Sequence, residues 1–155
     1  MNPSAKQIIH NFLATNNLNP QERPPAEGAD NWLFDIAENL QSELFCYEVE
    51  DNAITGLVVT SIKIPESNEV TMLAAAMNPA LAPATILHVG EVLSLRLMVS
   101  GSAEAMPGLL EESIVISRHV INAVFPRMLE LAENKLPMQN AMVLAMQALQ
   151  GEENK

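Results

Sequence analysis

Between Leu110 and Leu131 the residues Leu110, Ile114, Ser117, Ile121, Val124, Met128 and Leu131 recur in steps of four and three. That spacing lines one side of a single long helix with apolar groups, and such a stripe is stable only when a sheet or another helix covers it. Pro107 suits the first turn, where its missing amide hydrogen has no partner to lose. Pro126 removes the bond to the Asn122 carbonyl and predicts a kink or a division of the helix there.

What the long helix packs on is written in the period of the preceding residues. Trp32, Phe34 and Ile36 alternate with Leu33, Asp35 and Ala37, as on a pleated strand with one buried face. Leu44 to Glu50 sets Phe45, Tyr47 and Val49 on one side, and after the turn-forming Asp51-Asn52 a further strand runs through Ile54, Val58 and Ile62 with Leu57 and Val59 opposite. Pro65 ends it. A second hairpin is expected from Thr85 to Val99, turning at Gly90-Glu91. Helices are expected from Ser4 to Asn16, with Ser4 as cap, and from Glu66 to Asn78, where Val70, Leu73, Ala74 and Met77 share a face and Pro79 closes the segment. A last helix begins near Pro137 and stacks Met138, Ala141, Met142, Ala145 and Leu149 before Gly151 and a charged tail.

Tight turns between neighbouring strands, with helices segregated from them, predict an α+β class: an antiparallel sheet of about five strands with helices packed on one face. At 155 residues the chain is expected to be one domain, 1–155. Within it we read an N-terminal helix (1–16), a proline-containing connector (17–30), an α+β core (31–134) and a C-terminal helical extension with its tail (135–155).

Nineteen acidic against eight basic residues give a net charge of −11, with the cations scattered singly, which argues against binding a phosphate backbone. No apolar run approaches the roughly 20 residues of a membrane span, and the first residues lack the pattern of a signal peptide, so membrane insertion is not expected and a cytoplasmic location is. A lone Cys46 cannot form an internal disulfide or a thiolate cage; between Phe45 and Tyr47 it reads as a small buried hydrophobe.

The residues do not assemble into a recognisable catalytic or metal-binding motif. His10, His88 and His119 lie far apart without the i, i+4 pairing of a helical zinc site, and each reads as an edge or surface residue. The acidic group Glu48, Glu50 and Asp51 lacks the spacing and glycine of a calcium loop. Glu111, Glu112, Glu130 and Glu133 fit the polar side of the long helix. Gly56, Gly90, Gly101 and Gly108 match no nucleotide-binding pattern. We therefore expect no enzyme activity, cofactor or metal. Nine methionines, among them Met128, Met138, Met142 and Met146, fit a packed core first and an adaptable binding surface second.

The small acidic chain, its element order, the segment Phe45-Cys46-Tyr47-Glu48-Val49-Glu50-Asp51-Asn52, the helix Val70 to Met77, and Thr85 to Val99 followed by Leu109 to Leu131 resemble the type III secretion chaperone-like fold. That fold is shared by class I effector chaperones of the Tir chaperone type and by YbjN-like proteins. The chain departs from it in the long connector, in Pro126 and in the extension from Pro137 to Gly151. The resemblance implies a homodimer and, in the chaperone branch, a secreted effector whose N-terminal region is held extended. The contacting residues expected are Ile8 and Phe12 on the first helix and Leu57, Val59, Val92 and Met98 on strands, because a strand apolar on both sides leaves one side needing cover.

Overall fold

The computed structural model describes residues 1–151, the side chain of Asp51 excepted; the charged tail expected after Gly151 lies outside the described residues. The elements run α1 (Pro3–Thr15), β1 (Gln21–Ala26), β2 (Ala29–Ala37), β3 (Leu40–Glu48), β4 (Ile54–Lys63), α2 (Asn68–Leu81), β5 (Thr85–Val89), β6 (Val92–Gly101), α3 (Met106–Ala132) and α4 (Met138–Leu149). The six strands form one antiparallel sheet in the order β1-β2-β3-β4-β6-β5. The class is α+β as expected, with one strand more than the sequence suggests.

The additional strand is β1, inside the stretch expected as a connector. Its sequence Gln-Glu-Arg-Pro-Pro-Ala is exposed throughout and pairs with β2 through a register shift between Arg23 and Ala26, at the two prolines. Proline cannot donate to a ladder, but an edge strand has one side with no ladder to supply, so the segment is tolerated there. Glu27 and Gly28 close the hairpin, both at positive φ, 51° and 83°. That is the two-residue turn whose twist matches the strands, and Gly28 adopts it without a Cβ penalty.

By compactness the described residues form two units, 1–60 with 96–115, and 61–95 with 116–151; β4, β6 and α3 each contribute residues to both. In the first unit the buried sheet face carries Trp32, Phe34, Ile36, Leu44, Cys46, Ile54 and Val58. Helix α1 lies over it: Ala5, Ile9 and Leu13 are buried, and Lys6 pairs with Glu22 and, at 3.6 Å, with Asp30, the β2 residue opposite Cys46. Its cap is Asn2 rather than Ser4, because Asn2 Oδ1 accepts from the Ala5 amide at 2.9 Å while Pro3 takes the first helical position. The start of α3 meets the same face. A Cβ added to Gly56 would come within 3.0 Å of Met106 Cε, so the glycine admits the methionine.

In the second unit, α2 packs on β5 and touches α4. Val70, Leu73, Ala74 and Met77 are all buried, as their spacing predicts, and Ser67 caps the helix. Pro79 does not stop α2, which continues to Leu81. In α3 the whole predicted stripe is buried, Ser117 included. Pro126 does not divide it either; the helix is continuous from Met106 to Ala132. A proline forfeits one bond of the ladder, and here the buried neighbours Val124, Phe125 and Met128 hold the helix together across the gap. Helix α4 turns Ala141 and Ala145 inward, and its end is held where His119 Nε2 meets the Leu149 carbonyl at 2.8 Å.

Candidate functional site

The other face of the sheet is where the first unit departs from an ordinary one-sided pattern. Register fixes which side chains share it. Phe45 pairs with Asn31 on one side and Leu57 on the other, Glu43 with Leu33 and Val59, and Tyr47 with Thr55. Thr55 and Ser100 share a hydrogen bond of 2.8 Å, as do Ser61 and Ser94 at 2.8 Å. Moving inward from both pairs along antiparallel strands places Leu57 opposite Met98 and Val59 opposite Arg96. One row therefore reads Asn31, Phe45, Leu57, Met98, and the next Leu33, Glu43, Val59, Arg96.

Met98 is 59% exposed, and Leu33, Phe45, Leu57 and Val59 are half-buried. In an antiparallel sheet with one solvated face the outward residues are ordinarily polar, so Phe45, Leu57, Met98 and Val59 in adjoining positions, with Leu33 on the far side of Glu43, form a partly uncovered patch. Thr55 with Ser100 bounds it at one end. At the other, Asp35 accepts hydrogen bonds from Asn19 (2.8 Å) and Gln41 (3.1 Å), which hold its carboxyl below the usual carboxylate range. The patch is thus mixed: Phe45, Leu57 and Met98 form an apolar row, the adjoining row sets Glu43 between Leu33 and Val59 with Arg96 beyond, and hydrogen-bonded polar groups lie at both ends.

The six residues expected to contact a partner do not assemble into one site. Leu57, Val59 and Met98 lie together in the patch. Ile8 and Phe12 are half-buried on α1, on the helix-covered side of the sheet, flanking the buried Ile9 and Leu13. Val92 is 42% exposed at the start of β6, in the other unit. Leu33 and Phe45 were not among the expected contacts: both sides of β2 and β3 carry apolar residues, and only the pairing register shows that Phe45 stands opposite Leu57 and that Leu33 shares the row of Val59, across Glu43.

The sheet's rims offer little to an added strand. On β1 the prolines have no amide hydrogen to give. On β5 the side chain of Asn78 in α2 takes both outward groups of Ile86, accepting from its amide at 2.8 Å and donating to its carbonyl at 3.0 Å. This amide side chain occupies the place of a neighbouring strand's peptide group.

The chemistry-bearing residues are dispersed. Cys46 is fully buried, and burial, reinforced by the nearby Asp30 charge, pushes its thiol up to about 12, so it is inert at neutral pH. His88 is not a surface residue: it is buried on the helix-covered side of β5, its Nδ1 bonded to the Thr71 hydroxyl at 2.9 Å and its Nε2 sealed without a protein partner. His119 caps α4, as described. Glu48 binds the backbone amide of Asn2 at 3.0 Å beside a cleft of about 410 Å³ that Asn52, Ser102 and Glu104 also line. Among the described residues, His, Cys, Asp and Glu form no group of three placed to hold a metal ion, and no helix is long and apolar enough to cross a membrane.

The chain is thus an α+β protein, a six-stranded antiparallel sheet with four helices, and in its first unit the sheet face turned away from α1 carries the patch. No protein-family model matches the chain, and no curated protein is significantly similar to it.

Proposed function

We propose that the chain is a non-enzymatic protein-binding module of the class I type III secretion chaperone kind. It works in the cytoplasm as a homodimer and holds the N-terminal segment of a secreted effector in extended form. The observation that carries this reading is the patch of Leu33, Phe45, Leu57, Val59 and Met98 on the open sheet face. Apolar adhesion is non-directional, so a flat patch of this kind accepts side chains of varied sequence while the polar margin fixes the path of the backbone. The β1 prolines and Asn78 make strand addition at the rims the weaker route, so the client lies across the face. A charge of −11 keeps the unloaded protein in solution and favours clients of positive charge.

The test compares the unaltered protein with the Leu57→Asp, Met98→Asp double variant as baits in cells of origin, partners being identified by mass spectrometry. Both positions face outward, so circular dichroism should be unchanged. The expected result is a protein partner, bound through a segment that the unaltered bait protects from proteolysis and the variant releases. Capture of no partner, or equal capture by both baits, refutes the reading.

A further inference from the structure

Two charged side chains stand inside the open sheet face without a counter-charge. Glu43 is half-buried between Leu33 and Val59, and Arg96 is exposed on the far side of Val59 in the same row. Neither makes a hydrogen bond or an ion pair with another described residue. The polar groups around them are all engaged: Asp35 with Asn19 and Gln41, Thr55 with Ser100, Ser61 with Ser94. A carboxylate set between two apolar side chains has given up part of its water and gained no partner in exchange. Such a group belongs to a surface that an opposite charge completes.

The spacing of the two charges says how a client meets them. Neighbouring strands lie about 4.8 Å apart, and β4 runs between β3 and β6, so Glu43 and Arg96 are about 10 Å apart along a line across the strands. Phe45 and Met98, on either side of Leu57, repeat that spacing in the adjoining row, about 7 Å away. A β-strand laid across the sheet would present alternate residues about 7 Å apart and fall out of step with both rows. The polyproline II helix has three residues per turn and a rise of about 3.1 Å, so every third residue returns to the same side after about 9 Å. It is also extended, and it shows two of its three ridges to a flat surface.

We infer that the client segment crosses this face as a polyproline II helix and carries a cation and a carboxylate three residues apart. The cation sits on Glu43 and the carboxylate on Arg96, while the apolar residues of the next ridge lie on Phe45 and Met98. This rests on the open face being the client site and adds the pattern that a client must carry. The net charge of −11 draws any cation from a distance and is blind to spacing; Glu43 and Arg96 together demand both signs in register.

The probes are three acetylated, amidated peptides, Leu-Pro-X-Leu-Pro-Z-Leu-Pro, in which X and Z are Lys and Glu, Lys and Lys, or Glu and Glu. Proline holds each in the required conformation. They are titrated into the full chain labelled with ¹⁵N, and the amide shifts of Leu57 and Met98 report binding at the face. The unaltered protein is expected to bind the Lys/Glu peptide tightest, Glu43→Lys the Glu/Glu peptide, and Arg96→Glu the Lys/Lys peptide, with about a threefold change in Kd for each matched charge. Moving the Glu of the first peptide one residue along should remove its share. Equal binding of all three peptides, or preference for Lys/Lys by every protein including Glu43→Lys, overturns the charge pattern and leaves the face as a client site. Shifts at Leu57 and Met98 with none of the peptides overturn the inference too, and the bait comparison described above then decides the client reading by itself.

Discussion

Replacing Asn78 by alanine removes a side chain that does for Ile86 what a neighbouring strand would. Two hydrogen bonds are lost, of 2.8 and 3.0 Å, and Ile86, only 1% exposed, keeps its outward amide and carbonyl without those partners. Each bond contributes about 1 kcal/mol net, and a stranded buried group costs about 1–3 kcal/mol. Against this, alanine favours helix over asparagine by about 0.5 kcal/mol. The expected loss is about 2 kcal/mol. With a urea dependence of about 2 kcal/mol/M for a chain of this size, the unfolding midpoint should fall by about 1 M with the slope unchanged. Amide hydrogen exchange gives the local readout: protection at Ile86 should drop far more than at Leu93 or Leu95 in β6. Asn78→Asp is the companion, since it keeps the acceptor for the Ile86 amide but sets a negative charge against the carbonyl, and it should be no better than alanine. An Asn78→Ala protein within 0.5 kcal/mol of the original, with Ile86 still protected, would show that the side chain is incidental to the edge.

The other consequences are more local. Cys46 should resist thiol reagents at pH 8 in the folded protein and react fully once unfolded; because its thiol lies at about 12 when folded against 9.0 when free, stability is full below pH 9 and should decline by about 1.4 kcal/mol per pH unit between pH 9 and 12. A pH titration of the urea midpoint measures this, and a flat profile there contradicts the burial argument. The buried Ser42 and Thr60 hydroxyls share a 2.6 Å hydrogen bond, so Ser42→Ala alone should cost about 1–3 kcal/mol while adding Thr60→Val recovers most of it; a double-mutant cycle checks the recovery. Pro126→Ala in the continuous α3 helix should raise stability by about 1–3 kcal/mol, read by thermal denaturation, because it restores the backbone bond to Asn122.

Helical periodicity is a local property, and it was legible. The α3 stripe and the Val70, Leu73, Ala74, Met77 face of α2 are buried as their spacing predicts, because a helix carries its own hydrogen bonds and only its apolar stripe has to find a partner. The same locality explains the misreadings. Pro79 looks like a terminator in the sequence, and Pro126 like a site of kinking or division, but each helix runs on past its proline because tertiary burial around it offsets one lost bond. The strand β1 was hidden because its prolines argue against a strand in general and not against an edge strand. His88 looked superficial until the fold laid α2 across β5. The patch was half legible: Leu57, Val59 and Met98 stand out as apolar on the second side of a strand, whereas Leu33 and Phe45 join them only through cross-strand register, which no local window contains.

The bidentate grip of Asn78 on Ile86 bears on how crowded solutions of this chain should behave. Stacked fibres grow when one molecule's unpaired peptide groups template the next, and here one rim is stoppered by an amide and the opposite rim is made of residues that include two with no hydrogen to offer. Copies brought together can therefore cling through grease and still let go, so their contacts stay reversible on dilution.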